Sequence, residues 1–326
     1  MKPPADKYKK SISEVVLGGG TRNKKITVGG AKAPAYHFFE SMPENKPVIS
    51  HDIFDIPIHL PGHVREYFGD AMNDPSDWAK LQVRKYGADM VTLHMVGTDP
   101  KGANVPLKES CRKIEDLLQA VKVPLIIGGS GNPERDPEIL EKAAEICAGE
   151  RVLLSTVDTN MDYKRVVSAA KKYNHAVLSL IPMNPDEMSR FNKTLMRLGL
   201  TEKDIIMDLF TGGVGYGVEY TVSSMERCRL AGLNGDEGLA LPIASATSNA
   251  WSAREAWMKN DAWGARENRG PLWEAATAAS ALLSGADIFM MLHPLAIEST
   301  KKTIESLHRP NKPAKDEYIN WIKLKT

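Results

Sequence analysis

The sequence predicts an α/β fold, a (β/α)8 TIM barrel with a short N-terminal β-hairpin-like extension. From Pro47 onward one pattern occurs eight times: a short apolar strand, a loop rich in Gly, Pro, Asn or Asp, and a helix of about three turns. The strands are almost continuously apolar, which is typical of parallel strands covered by helices. Eight such units favour a closed barrel over a doubly wound sheet, which normally has fewer strands and a nucleotide-binding fingerprint.

We divide the chain into three segments. Residues 1–46 contain two short β-rich runs, EVVLG and KKITVGG, and are predicted to form the extension, which covers one end of the barrel. Residues 47–308 are predicted to form the barrel, and residues 309–326 a C-terminal tail.

The predicted strands are apolar runs that span 48–53, 90–95, 124–128, 152–157, 176–181, 205–210, 239–244 and 288–292. Several helices begin at an Asp or Asn followed by proline, as at Asp74-Pro75, Asp136-Pro137 and Asn184-Pro185, which is a helix-start signal. The predicted helices span 75–86, 107–121, 137–148, 163–173, 185–198, 219–231, a long pair within 250–284, and 295–307.

Composition excludes several classes of partner. Lys plus Arg total 42 against 41 for Asp plus Glu, so the chain has no general charge that would attract nucleic acid or an anionic membrane. The N-terminus has no apolar stretch of signal-peptide length, and no window approaches the roughly 20 apolar residues of a spanning helix. We therefore expect a cytoplasmic protein.

The three cysteines, Cys111, Cys147 and Cys228, lie far apart in predicted helices, without a CxxC pair. A cubane iron–sulfur cluster normally takes four cysteine ligands, which one copy of this chain cannot supply. We interpret the three as small buried side chains in a reducing compartment.

The stretch DIIMDLFTGGVGYGVEY, residues 204–220, is the most distinctive βα unit. An apolar strand runs into four glycines within six residues and then into a helix. Glycines permit positive φ and leave amide groups unshielded, so the loop suits an amide-rich or phosphate-rich group of a large ligand. A tight barrel corner remains the alternative. As a dinucleotide fingerprint the stretch is incomplete, because GGVGYGV supplies GxGxG with valine at the next glycine position.

Other chemistry at the predicted rim is less specific. No predicted strand carries the lysine that class I aldolase chemistry needs. The histidines His51, His94 and His293 end neighbouring strands and, with Asp52 or Asp158, could bind a divalent metal, or could simply form hydrogen bonds at the rim. The usual His-x-His pair is missing, and the HLPGH stretch with His59 and His63 is interpreted as a loop.

A resemblance covers most of the chain, from about Gly19 to Leu307. Three stretches carry it: YGADMVTLHMVGTDPKGAN, DLFTGGVGYGVEYTVSSMERCRL and GPLWEAATAASALLSGADIFMMLHP. They closely resemble the small subunit of the corrinoid iron–sulfur protein, in a family that also includes the delta subunit of acetyl-CoA decarbonylase/synthase. Within the first stretch, TLHMVG is similar to the DxHxxG cobalt-ligand motif, but threonine replaces the aspartate that would orient His94.

The resemblance implies a (β/α)8 barrel that pairs with a large (gamma) subunit carrying the iron–sulfur cluster and a corrinoid-binding domain. The corrinoid, a cobamide, is then shared between that domain and the rim of this barrel. It carries a methyl group between methyltetrahydropterin and the nickel cluster of carbon monoxide dehydrogenase/acetyl-CoA synthase, and a methyltetrahydropterin methyltransferase is a further partner. This chain would cover the corrinoid and act as a scaffold, without catalytic residues or a metal of its own.

We expect four rim loops, 98–104, 129–132, 212–217 and 247–249, to meet the corrinoid or its domain. Corrinoid side chains end in amides, which backbone N–H groups and Asn, Thr and Ser side chains can bind. The expected binding residues are Thr98, Asp99, Asn104, Gly129, Ser130, Asn132, Gly212, Gly213, Gly215, Tyr216, Gly217, Thr247 and Asn249.

Two alternatives stay open, and one interface is expected. A self-sufficient pterin-dependent methyltransferase could hold its pterin with Asp158, Asn160 or Asn184, and a metal-dependent hydrolase could use the rim histidines. One or both of two segments are expected to contribute to the permanent contact with the large subunit: the tryptophan-rich segment 250–273, with Trp257 and Trp263, and the extension segment 15–30.

Overall fold

The computed structural model describes residues 5–308, so the predicted tail 309–326 lies outside the described residues. Eight parallel strands form a closed barrel, which confirms the predicted fold class. The barrel strands are β3 (Val48–Phe54), β4 (Met90–His94), β5 (Leu125–Gly128), β6 (Leu153–Val157), β7 (Ala176–Leu180), β8 (Ile205–Asp208), β9 (Ile243–Ala246) and β10 (Ile288–Met291). Their order around the barrel is β10-β3-β4-β5-β6-β7-β8-β9.

Helices surround the barrel and connect its strands. Polar side chains cap several of them: the Asp74 carboxylate accepts bonds from Ser76 and Asp77 N–H, and Asn184 accepts one from Glu187 N–H. The helices are α1 (Gly62–Arg65), α2 (Pro75–Arg84), α3 (Leu107–Ala120), α4 (Asp136–Ile146), α5 (Tyr163–Tyr173), α6 (Pro185–Arg197), α7 (Val218–Leu233), α8 (Arg266–Leu283) and α9 (Pro294–Leu307).

The extension closes the N-terminal end of the barrel. Its strands, β1 (Glu14–Leu17) and β2 (Ile26–Gly29), form an antiparallel pair. The N–H groups of Ser13 and Gly18 donate to the carbonyls of Ala240 and Arg151, which lie just before strands β9 and β6. The inward side chains of the pair share one apolar cluster with the barrel interior, which comprises Val15, Leu17, Ile26, Val28, Met90, Ile126, Leu153, Ala176, Leu178, Ile206, Ala244, Ile288 and Met290.

Two predicted elements near the end of the chain are wrong. The seventh strand, predicted at 239–244, is Ile243–Ala246, because residues 236–240 form a turn and Pro242 has no N–H to donate to a neighbouring strand. The predicted helical pair within 250–284 is one helix, α8. It follows three short 3-10 helices, Thr247–Ser252, Arg254–Ala256 and Asp261–Trp263, and Gly264 (φ 79°) separates the last of them from α8.

Candidate functional site at the barrel mouth

The C-terminal strand ends and the loops that follow them form the mouth of the barrel, opposite the closed end. On the β4 side, two of the predicted residues come from neighbouring loops and contact each other. Asn132 Nδ2 lies 3.3 Å from Asp99 Oδ1. Asn104 is exposed and adopts a positive φ of 48°. Thr98, in contrast, is buried, and its hydroxyl donates to the Met95 carbonyl. Thr98 therefore supports the loop from below.

The loop after β5 is organised by a carboxylate. Asp136, predicted to precede its helix as a cap, is the first residue of α4, and it accepts bonds from Ser130 N–H, Ser130 Oγ–H and Gly131 N–H at 2.7–2.8 Å. A Cβ on Gly129 would lie 2.4 Å from that carboxylate, so the position requires glycine. Burial raises the pKa of Asp136, although these N–H bonds act in the opposite direction. The loop amides are therefore used within the protein.

The glycine loop 212–217 is mostly a folded corner. Gly212 N–H donates to Thr221 Oγ1 and Val214 N–H to Thr277 Oγ1, while a Cβ on Gly212 would lie 2.6 Å from the Tyr216 carbonyl oxygen. Gly213 is buried, and Gly217 (φ 95°) caps α7. The exposed tip consists of Gly215 and Tyr216, whose hydroxyl donates to Glu255 Oε2 at 2.7 Å. The loop therefore exposes fewer backbone amide groups to solvent than the sequence analysis expected from its four glycines.

The loop after β9 is also braced inward. Thr247 is buried and donates to the Met290 carbonyl, and Asn249 Nδ2 donates to the Thr211 carbonyl at 3.1 Å. Both side chains therefore hold neighbouring strand ends in place.

Two buried carboxylates inside the mouth are absent from the predicted binding set. Asp52 of β3 is fully buried, and neither of its oxygens has a hydrogen-bond partner among residues 5–308, although His94 Nε2 lies 3.2 Å from Oδ1. Asp208 ends β8 and accepts a bond from Phe210 N–H at 2.8 Å. Burial raises the pKa of Asp208 to about 7. The sequence shows Asp208 as the one polar break in an apolar run, but it does not show that either carboxylate faces the barrel interior.

The three rim histidines do not converge. His51 lies within β3 rather than at its end and faces away from the mouth, where its Nδ1 is 2.9 Å from Gln82 Oε1 of α2. His293 packs against the Trp251 and Tyr67 rings and accepts a bond from Leu295 N–H. Burial lowers the pKa of both His51 and His293 to about 4. Within residues 5–308 no group of three His, Cys, Asp or Glu side chains is placed to hold a metal ion, contrary to the metal-site alternative.

The residues considered for pterin binding stand at the ends of β6 and β7. Asp158 Oδ1 accepts a bond from Asn160 N–H at 2.6 Å, and Asn184 caps α6. Asn160 and Asn184 are exposed. The HLPGH stretch is partly helical, since His63 lies in α1.

A buried glutamate holds the tryptophan-rich segment to the barrel. Glu274 of α8 accepts bonds from Trp251 Nε1–H, Leu292 N–H and His293 N–H, and burial raises its pKa to about 7. Further along α8, the Arg269 side chain donates to the Glu255 and Met258 carbonyls. The rim also exposes large side chains, with exposed fractions of 37–61% at Phe210, Tyr216, Tyr220, Trp257, Met258 and Trp263.

Solved structures with a similar fold are dihydropteroate synthases. One from Xanthomonas albilineans, in complex with indole-2-carboxylic acid and 6-chloroguanine, superposes with a TM-score of 0.57 at 14% identity, over 92% of this chain and all of that one. Another structure of the same protein, in complex with 7,8-dihydropteroate, has a TM-score of 0.54 at 16% identity, over 82% of this chain and 95% of that one. At this identity the likeness shows the barrel fold alone.

Within residues 5–308 no helix is both long and apolar enough to cross a membrane.

Proteins found by comparison of sequences have a much higher identity to this chain than these solved structures have. The acetyl-CoA decarbonylase/synthase complex subunit delta of Methanopyrus kandleri is 47% identical over 300 residues, which cover 90% of this chain and 74% of that protein. The subunit delta of Methanothermobacter thermautotrophicus is 48% identical over 322 residues, 98% of this chain and 82% of that protein. Residues 14–317 match the family described as CO dehydrogenase/acetyl-CoA synthase delta subunit. The resemblance found in the sequence is thus confirmed, and the chain belongs to the CO dehydrogenase/acetyl-CoA synthase delta subunit family.

Proposed function

We propose that this chain covers a corrinoid with the mouth of its barrel and serves as the fixed scaffold of a methyl-carrying heterodimer in the acetyl-CoA pathway. The observation that carries the proposal is the contrast between the two barrel ends. The N-terminal end is filled by the extension, whereas the C-terminal mouth combines braced loops with exposed polar and aromatic side chains. A large amide-bearing ligand needs such a wide polar surface.

Only some of the residues predicted to bind the corrinoid are accessible at the mouth, so the proposed contacts are fewer than the predicted ones. Asn104 is exposed and offers an amide group that matches corrinoid amides, each hydrogen bond contributing about 1 kcal/mol. Ser130 and Asn132 are half-buried and already bonded to Asp136 and Asp99, so they would bind a corrinoid amide by exchanging those bonds. Tyr216 and Phe210 add aromatic surface on the opposite side of the mouth. When bound, a cobamide supplies the cobalt that carries the methyl group. The side chains of this chain hold its periphery and exclude water.

The iron–sulfur cluster is assigned to the large (gamma) subunit. Cys147 and Cys228 are buried, and burial raises the pKa of each thiol to about 12, which disfavours the thiolate that ligates iron. Further partners are the methyltetrahydropterin methyltransferase and the nickel-containing carbon monoxide dehydrogenase/acetyl-CoA synthase.

Absorbance spectra of the isolated chain and of the reconstituted heterodimer test shared binding. We expect the heterodimer to hold the cobamide stoichiometrically and the isolated chain to release it on gel filtration. Stoichiometric cobamide on the isolated chain would contradict the proposal.

The permanent contact with the large subunit is proposed to use Trp257 and Trp263. Both rings are exposed, and the Arg269 guanidinium lies 5.5 Å from the centre of the Trp263 ring. Trp and Arg are enriched in the anchors of protein interfaces. We expect Trp257→Ser with Trp263→Ser to weaken the heterodimer on size-exclusion chromatography, whereas Leu283→Ser, an exposed change on the distal end of α8, leaves it intact. An unchanged heterodimer would assign the two rings to another role.

A second candidate function is a self-sufficient pterin-dependent methyltransferase. The buried carboxylates Asp52 and Asp208 favour it, because they could accept N–H groups of a planar heterocycle held inside the mouth. Asp158, Asn160 and Asn184 would lie around it. Methyl transfer from methyltetrahydropterin to free cob(I)alamin by this chain alone would support this function, and no turnover beside an active methyltransferase would exclude it.

A further inference from the structure

A histidine and a buried aspartate lie side by side on the inner wall of the mouth. His94 of β4 and Asp52 of β3 are on neighbouring strands, and His94 Nε2 lies 3.2 Å from Asp52 Oδ1. The imidazole also stacks on Phe54, with 5.1 Å between the ring centres and 26° between the planes. Thr92, which replaces the aspartate of the similar DxHxxG motif, lies 2.7 Å from Ser50 Oγ instead. The carboxylate beside the histidine therefore comes from the next strand.

The histidine of this pair is accessible from the mouth. The Asp52 side chain is fully buried, whereas the His94 side chain is 25% exposed. Met90 belongs to the apolar cluster inside the barrel, so alternation along β4 directs His94 to the same inner face. Among residues 5–308, His94 Nδ1 has no hydrogen-bond partner, and it is not one of the unpartnered side-chain atoms that are buried. This nitrogen can therefore meet a bound molecule.

The next strand leaves room beside this nitrogen. Gly128 of β5 is the partner of His94 in the parallel pair, and a Cβ on it would lie 3.4 Å from His94 Nδ1. Gly128 does not have a positive φ, so its backbone does not require glycine. A glycine inside a strand weakens the strand and often marks a place where a ligand approaches closely. The missing side chain leaves Nδ1 uncovered.

The buried carboxylate determines that Nδ1 carries a hydrogen. A buried carboxylate charge without a counter-charge is costly, and among residues 5–308 His94 is the only basic side chain close enough to Asp52 for an ion pair. The two groups therefore share one proton and have no net charge. If the carboxylate is ionised, the imidazolium carries hydrogen on both nitrogens. If the carboxyl group keeps the proton and donates to Nε2, the neutral ring carries its hydrogen on Nδ1.

We propose that His94 Nδ1–H donates a hydrogen bond to a carbonyl oxygen of the molecule that occupies the mouth, beside Gly128. The proposal rests on the corrinoid function proposed above, so the acceptor is a carbonyl oxygen of a corrinoid side-chain amide. Asp52 is a positioning residue, which holds the ring and its proton without touching the ligand. The NH2 end of an amide does not fit, because a nitrogen that carries hydrogen offers no lone pair.

Aquacobalamin binding to the cobamide-free heterodimer tests the contact, with Kd measured by equilibrium dialysis. We expect His94→Gln to weaken binding about fivefold, or about 1 kcal/mol, because glutamine can still reach Asp52 but has no donor at the Nδ1 position. Gly128→Ala should weaken binding to a similar extent, since its methyl group covers Nδ1, while the Tm stays equal to or above that of the wild type. Gly62→Ala is the control: its methyl group meets nothing within 4 Å, so the affinity should not change.

Nitrogen NMR of the isolated, histidine-labelled chain gives a second measurement that does not depend on the corrinoid. The His94 signals are identified by their loss in His94→Gln, and their shifts report which ring nitrogens carry hydrogen. We expect hydrogen on Nδ1 at neutral pH. A ring with hydrogen on Nε2 alone would overturn the proposal.

The wild-type heterodimer separates this proposal from the corrinoid function. If it binds no aquacobalamin, the corrinoid function fails and the contact fails with it. If it binds aquacobalamin but either His94→Gln or Gly128→Ala binds equally tightly, the corrinoid function stands and the His94 contact is wrong. An absorbance change typical of nitrogen ligation to cobalt, lost in His94→Gln, would also overturn the contact, because a coordinating nitrogen cannot donate a hydrogen.

Discussion

Phe210, at the mouth, has a backbone conformation that is unusual for a bulky side chain. It has φ 63° and is 44% exposed, two residues after Asp208. A bulky residue held in the left-handed region is strained, and such strain is common at functional sites. We predict that Phe210→Gly increases the free energy of unfolding by about 1 kcal/mol, the net of relieved strain and the entropy of glycine, while it weakens cobamide retention by the heterodimer. Urea unfolding and gel-filtration absorbance measure the two effects.

Asn174→Gly is the matched control, because Asn174 also has φ 62° but caps α5 at the opposite end of the barrel. It should stabilise the protein without changing cobamide retention. If Phe210→Gly lowers stability instead, the ring has a packing role that its exposure does not reveal.

Asp208 makes stability depend on pH. Burial raises its pKa from 3.8 to about 7, so between these values the folded state keeps a proton that the unfolded state has lost. This contribution to stability is present below pH 3.8 and declines as the pH rises toward 7. We predict that Asp208→Asn removes this decline and stabilises the protein at pH 7 by an amount on the order of a few kcal/mol. Unfolding titrations at pH 4 and pH 7 test it, and parallel pH profiles of variant and wild type would contradict it.

At the scale of elements, one helix start determines the shape of a rim loop. Asp136 accepts two backbone N–H bonds from the loop after β5, and a cap bond on α2 is made in the same way by Asp74. We predict that Asp136→Ala costs roughly 1–3 kcal/mol of stability and accelerates hydrogen exchange at Ser130 and Gly131, because those amides lose their acceptor. Amide exchange monitored by NMR measures the second effect.

Asp74→Ala provides the comparison, since an N-cap contributes about 1 kcal/mol without touching the rim. Its loss should leave exchange at Ser130 and Gly131 unchanged. Equal exchange in both variants would mean that the loop is held by other contacts.

At the scale of the whole molecule, the extension is part of the barrel core. Leu17 is fully buried at the closed end, whereas Val16, next to it on the same strand, is 37% exposed. We predict that Leu17→Ala costs about 2–5 kcal/mol and Val16→Ala less than about 1 kcal/mol. Chemical unfolding measures both free energies of unfolding. Similar small losses for the two variants would mean that the extension does not contribute to the stability of the barrel.

The sequence by itself determined the repeated elements of this protein. Strand and helix periodicity, and the Asp74 and Asn184 cap signals, depend on a few neighbouring residues, so the eight units and most of their limits could be predicted locally. The long stretches shared with the delta subunit family were equally visible, because family resemblance is a property of the sequence. The error within 250–284 arose because the Arg269 side chain holds the Glu255 and Met258 carbonyls, 14 and 11 residues earlier in the chain, a contact that local periodicity does not reveal.

The tertiary structure alone decided which groups face a ligand. Glycines 212–217 allowed either an open amide-lined loop or a tight corner, and the corner formed because Thr221 and Thr277 hydroxyls accept the loop N–H groups. Asp52 and His94 lie on the neighbouring strands β3 and β4, and the register of that pair places Asp52 Oδ1 3.2 Å from His94 Nε2. Local pattern specifies whether a residue is in a strand, but burial and pairing depend on residues far away in sequence. For that reason the candidate site could be located at the mouth from the sequence, while its inner carboxylates became evident only from the folded barrel.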